Sequence, residues 1–261
     1  MKNQKILYLN SAFTLICAFI FTTIIHDGGH FMAYLFFDSN PTMYHNYVSV
    51  PDQSLANYIS ITGALAGPFI SLLQGIIFWF ILKVKITNDD IDLLYLWLCL
   101  WGFINFFGYL MLTPLSTEGD TGKVAQLLQL SYHYRIIIAI FGLMTIILIV
   151  LKTNKWFSRF IPDNTDINTR RKYINALVPF PILTGSIVNS ILAFPLPSIL
   201  SLIYPATSAY VILSGYGVIL KTKGGFIKKS TLEERLSISI STILIISFII
   251  RSLLSFGLNF S

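Results

Sequence analysis

Charge is what this chain has least of. Asp, Glu, Lys and Arg make up 11% of its 261 residues, under half of the roughly 25% usual in soluble domains. So few charges cannot clothe a water-facing surface, and the 54% hydrophobic content makes lipid the solvent for most of the chain. Cysteine is scarce too. Cys17 and Cys99 are the only two and both fall in apolar runs. They offer neither a disulfide framework nor a paired metal motif, and they read as core residues. Histidine is limited to four, too few for the His-rich desaturase pattern, which sets aside di-iron and multi-copper oxidation. No internal repeat stands out, so a common mark of transporters is missing. The net charge of +6 does not point to nucleic acid, because the basic residues cluster between apolar runs as in cytoplasmic loops.

What the chain has in excess is apolar stretches of membrane-spanning length. Seven are read at about 6–37, 58–84, 91–113, 132–151, 173–194, 198–220 and 237–257, from the rule of ~20 apolar residues per crossing helix. The fold class expected is an all-α polytopic membrane bundle. Its parts are a core at 1–151, a basic connection at 152–172 and an accessory three-span region at 173–261. The first stretch exceeds what a membrane needs and is expected to tilt or protrude. Lys2 and Lys5 ahead of it also suit a signal peptide, but the run continues to Phe37 without a small-residue cleavage site, so it reads as retained. Phe194-Pro195-Leu196-Pro197 marks a tight turn. Between the spans, 38–57 carries Asp38, His45 and Asp52 but no Lys or Arg, and its Pro41 and Pro51 indicate an ordered loop. Asp120 to Leu130 is expected to form a short helix with Val124, Leu127 and Leu128 on one face.

The positive charges give an orientation. Lys2, Lys5, Lys83, Lys85, six basic residues between Lys152 and Lys172, and five between Lys221 and Arg235 fall on alternate connections. Together they are 15 of the 18 Lys and Arg residues. Lys123, Arg135 and Arg251 belong to the opposite side, where Arg251 is expected to snorkel. The expectation is an integral protein of a bacterial cytoplasmic membrane with its N-terminus inside and C-terminus outside. Trp156, Phe157 and Phe160, beside basic residues, read as an interfacial anchor. His45 and His133 read as surface or interfacial residues.

One polar cluster interrupts the first apolar run: His26-Asp27-Gly28-Gly29-His30. Imidazoles and a carboxylate are costly at membrane depth and usually mark function. Two His four apart share a helix face and can grip one metal ion. Asp27 lies about 100° round from His26, which is the geometry of H-E-x-x-H, where the His pair binds zinc and the Glu is the general base. Asp retracts its carboxylate by roughly 1–1.5 Å relative to Glu, an error able to slow catalysis on the order of 10²-fold. A catalytic zinc usually takes three protein ligands and a water. Asp120 is the choice for the third, since it follows the break at Pro114 and is flanked by Gly119 and Gly122; Glu118 is the alternative. Asn105, a buried amide in the third span, is placed to hold a substrate strand or polarise a carbonyl. The small residues Gly63-Ala64-Leu65-Ala66-Gly67-Pro68 allow close helix approach.

These residues resemble the site-2 protease family of intramembrane zinc metalloproteases. His26-Asp27-Gly28-Gly29-His30 is similar to that family's H-E-x-G-H motif, Gly67-Pro68 to its glycine–proline motif, and Asn105, Pro114 and Asp120 to its asparagine–proline–aspartate–glycine motif. The order is the same and the resemblance covers about residues 6–150. It implies His26, His30 and Asp120 as zinc ligands, Asp27 as base, Asn105 as a substrate-positioning group, and a membrane-spanning protein as substrate within the lipid bilayer. The departures are Asp27 in place of Glu, a wider gap from Asn105 to Pro114, and Thr121 directly after Asp120. Known members hold their zinc toward the cytoplasmic side, whereas the charge asymmetry here puts His26, His30 and Asp120 toward the outer face, and the charge bias is preferred. A zinc-dependent lipid hydrolase, a proton-coupled carrier using His26, Asp27 and His30 as a relay, and an inactive protease relative remain as alternatives. Nothing in the sequence sets the oligomeric state.

Overall fold

A computed structural model describes residues 2–51, 55–84, 89–163, 165–223, 232 and 234–259. Asp52, Lys85, Lys228 and Lys229 lie outside the described residues. The chain is an all-α bundle. Its order is α1 (Lys2–Phe36), the strands β1 (Thr42–Met43) and β2 (Val48–Ser49), α2 (Asn57–Lys83), α3 (Asp89–Leu112), α4 (Asp120–Leu127) and α5 (Tyr132–Thr153). A 3-10 helix over Asn154–Phe160 leads to α6 (Ile167–Leu177), α7 (Pro179–Leu192), α8 (Leu200–Thr207), a second 3-10 stretch over Ser208–Gly215, α9 (Tyr216–Lys221) and α10 (Ile238–Leu254). Six of the resulting helical rods, Gln4–Phe36, Asn57–Lys83, Asp90–Leu112, Tyr132–Phe160, Ile167–Leu192 and Leu200–Lys221, are long and apolar enough to cross a membrane. The shorter apolar α10 stands where the seventh span is expected. This is a multi-pass membrane protein.

Helix α1 is the central rod, touching α2, α3, α6, α7 and α10. Its first half carries polar residues that a buried helix tolerates only when they are bonded. Thr14 returns its hydroxyl to the carbonyls of Asn10 and Ser11. Asn10, fully buried, donates to the carbonyls of Leu232 and Arg235 and accepts from the Ser237 N–H, tying the start of α10 to α1. The helix ends where Asp38 and Asn40 adopt positive φ of 51° and 45°, a conformation that Asp and Asn enter more readily than bulkier residues. The 38–57 connection then forms a small antiparallel hairpin, Thr42 opposite Ser49 and Met43 opposite Val48. Met43 also exchanges both backbone hydrogen bonds with Leu258, at 2.8 Å each.

Helices α2 and α3 pack through small residues: a Cβ on Gly102 would sit 2.6 Å from the Gly75 nitrogen. One continuous apolar core holds Leu15, Trp97, Phe157, Ile182 and Ile240 together, so the 1–151 and 173–261 regions share an interior. Cys17 and Cys99 are buried in it as free thiols. Trp156, Phe157 and Phe160 correct the interfacial expectation. The 3-10 helix turns them inward, where Trp156 meets Trp79 and Phe157 meets Trp97, each pair at 5.2 Å between centroids. Arg159 covers the Trp156 ring from outside. The Phe194–Pro197 turn is present, with a cis bond at Phe194–Pro195.

Candidate metal centre

The one-turn spacing of His26 and His30 on α1 brings their Nε2 atoms to 3.0 Å from each other. Asp120, the first residue of α4, places Oδ2 3.1 Å from His26 Nε2 and 3.3 Å from His30 Nε2. Three ligand atoms bound at 2.0–2.1 Å in tetrahedral geometry lie about 3.3–3.4 Å apart. The observed triangle has nearly those edges, so two nitrogens and one oxygen fit one face of a tetrahedral cation site. Asp27, on the next position of α1, also presents a ligand-capable oxygen within 4.8 Å of the imidazole nitrogens. Asp120 rather than Glu118 meets the pair; Glu118 is exposed.

The turn that delivers Asp120 is built locally. Gly122 lies so close to the Ser116 carbonyl that a Cβ there would be 1.8 Å from its oxygen, and only glycine permits that approach. Thr121 donates to the Tyr109 carbonyl and Thr113 to Thr121 Oγ1, pinning the start of α4 to the end of α3.

Helix α2 orients the imidazoles from behind. His30 Nδ1 lies 2.7 Å from the Gly63 carbonyl. A carbonyl only accepts, so Nδ1 carries the proton and the Nε2 lone pair is left for a cation. His26 Nδ1 lies 3.2 Å from Ser71 Oγ, and the ring stacks on Tyr109 at 5.1 Å and 3°. The small residues of α2 serve this contact. A Cβ on Gly67 would fall 2.3 Å from His30 Nε2, and one on Gly29 would strike the Ala66 carbonyl at 2.9 Å. Pro68 lacks the N–H that would bond the Ala64 carbonyl, and Ala64 lines the cavity in front of the site.

That cavity has a volume of about 560 Å³. Into it face Asp27 and Asn105, whose Oδ2 and Oδ1 are buried without a hydrogen-bond partner among the described residues, and Tyr204, whose hydroxyl lies beside the Asn105 side chain. Each such orphan costs about 1–3 kcal/mol in an apolar interior and is explained when a ligand or water completes it. Sequence reasoning found Asp27 and Asn105. It missed Tyr204, Tyr109 and Ser71, which carry no motif; aromatic and small polar residues at helical spacing look like packing. It also misplaced two residues. His45 is buried, 5% exposed, because the hairpin folds it against the cavity. Arg251 does not snorkel: it donates to the carbonyls of Leu192 and Phe194 at the end of α7. His133 is exposed as expected.

The chain matches no family model, no curated protein and no solved structure. The resemblance to the site-2 protease family stands on the motif residues and their order.

Proposed function

We propose that this chain is an intramembrane zinc metalloprotease, similar to the site-2 protease family, that hydrolyses peptide bonds of membrane-spanning proteins. One observation carries the reading: the triangle of His26 Nε2, His30 Nε2 and Asp120 Oδ2, with edges of 3.0, 3.1 and 3.3 Å, opens on a cavity lined by an unpartnered carboxylate. His26, His30 and Asp120 would hold the zinc. When bound, it supplies Lewis acidity to an attacking water and to the scissile carbonyl.

The remaining work belongs to side chains. Asp27 takes the proton of the attacking water and returns it to the leaving amine. Asn105 Oδ1 accepts the N–H of an extended substrate backbone. The Tyr204 hydroxyl donates to the carbonyl oxygen as it gains charge. A helical substrate must unwind locally, since its carbonyls are otherwise engaged, and the polar cavity admits water at that depth. The N-terminus lies inside, in a bacterial cytoplasmic membrane, by the charge bias.

The test is elemental mass spectrometry of the purified chain, with iron measured beside zinc because two imidazoles and a carboxylate also suit ferrous sites. About one zinc per chain, lost in His26→Ala and Asp120→Ala, is expected. A chain without metal after reconstitution would remove the hydrolase reading.

A further inference from the structure

Helix α10, Ile238 to Leu254, carries one charge, Arg251, among apolar and hydroxyl side chains. Arg251 is also the only residue of α10 in the wall of the cavity that contains the metal triad. A cation among spanning helices needs a partner, yet among the described residues no acid pairs with Arg251, which donates through Nη2 to the carbonyls of Leu192 and Phe194. Its Nε and Nη1 make no hydrogen bond to the described residues. Beside it stands His45, 5% exposed, lining the same cavity. The ring lies by the carbonyls of Ala193 and Phe194 but neither nitrogen completes a hydrogen bond. Asn46 spends its amide nitrogen on the Ala193 carbonyl at 2.7 Å and leaves Oδ1 buried and unpartnered.

Capping α7 explains part of this arrangement. The Leu192, Ala193 and Phe194 carbonyls are already served by Arg251 Nη2 and Asn46 Nδ2. What remains is a guanidinium without a counter-ion, an imidazole N–H donor and an amide acceptor, gathered at the hairpin end of one cavity. Their chemistry matches a single negative charge carried next to an N–H.

We propose that Arg251, His45 and Asn46 form a subsite for a peptide carboxylate, Arg251 and His45 binding the carboxylate oxygens and Asn46 Oδ1 accepting the neighbouring amide N–H. The subsite rests on the reading of the cavity as the place where peptide binds, and it sets a preference for substrates with a free carboxylate near the scissile bond. A phosphate monoester fits less well: it brings up to two charges and no N–H, against one guanidinium.

The test uses the zinc-free chain in nanodiscs, so that it does not depend on the metal. Binding of N-hexanoylglycine, its primary amide and hexyl phosphate is read by ligand-observed NMR in wild type, Arg251→Gln and Arg251→Lys. Gln keeps a donor for the α7 carbonyls, and far-ultraviolet circular dichroism checks that the helices are retained. The acid is expected to bind at least tenfold more tightly than the amide in wild type. Arg251→Gln should erase that preference and Arg251→Lys should keep part of it. Equal binding of acid and amide, a preference that survives Arg251→Gln, or no binding of the acid would overturn the subsite whatever the zinc content proves to be. Tighter binding of hexyl phosphate would overturn the carboxylate assignment in favour of a phosphate ligand.

Discussion

Asp27 has a buried Oδ2 without a hydrogen-bond partner among the described residues, and it sits one residue after a proposed ligand. A carboxylate that oriented a histidine would be bonded to that histidine; this one faces the cavity. Asp27→Asn should therefore leave zinc content unchanged and lower cleavage of a co-expressed single-span reporter by about 10²–10⁴-fold, read by immunoblot of the product. Asp27→Glu restores the missing methylene and should raise cleavage; a silent Glu variant in a zinc-loaded chain would argue against the base role. Tyr204→Phe keeps the ring that meets Phe19 at 5.7 Å and removes one donor, for an expected loss of about 10²-fold in turnover at constant zinc. The residues of the proposed metal triad were legible in the sequence because their signal is local: two His four apart and an acid between glycines. Tyr204, Arg251 and His45 were not. Each is an ordinary residue whose importance comes from a cavity assembled by elements far apart in sequence.

The element that decides the site's geometry is α2, which contributes no ligand. Its Gly63 carbonyl fixes the His30 tautomer, Ser71 bonds His26, and Gly67 leaves room for the His30 ring. Ser71→Ala should weaken zinc binding by about 10–100-fold, the usual cost of losing an orienting partner, measured by competition with a chromophoric chelator. Gly67→Ala should abolish binding, since its methyl carbon would stand 2.3 Å from the ligand nitrogen. The sequence showed that α2 packs closely but not onto what, because small-residue runs mark contact without naming the partner. The hairpin carries a second consequence. Burial, and then the charge of Arg251, push His45 below its ordinary value, so the folded chain holds it neutral. The unfolded chain takes up the proton first as pH falls. His45 therefore favours folding above about pH 6.5, and that contribution is lost on acidification below it. Wild type should lose more thermal stability than His45→Gln between pH 7.5 and pH 5.5. Subtracting the variant removes the share due to the histidines of the metal centre.

For the molecule as a whole, six of the seven expected spans were readable because a crossing helix needs about 20 apolar residues, and Asn57–Lys83 and Asp90–Leu112 fall within a residue of the ranges read from sequence, whereas Ile238–Leu254 is shorter than the seventh span expected there. How the two halves combine was not readable. The last three spans carry no motif, yet they supply Tyr204 and Arg251 to the cavity wall. They also cover α1, where Leu15 would meet a Cβ on Gly185 at 2.3 Å. Apolar helices can insert into lipid separately, but the cavity exists only when both halves pack. Residues 1–163 expressed alone should therefore enter the membrane and bind little or no zinc, although His26, His30 and Asp120 are all present. Co-expression with 164–261 should restore zinc toward one per chain, because joining two inserted halves through a loop adds only loop-closure entropy to contacts that form anyway. Full zinc binding by 1–163 alone would mean that the metal centre is autonomous and that the C-terminal helices act only on substrate.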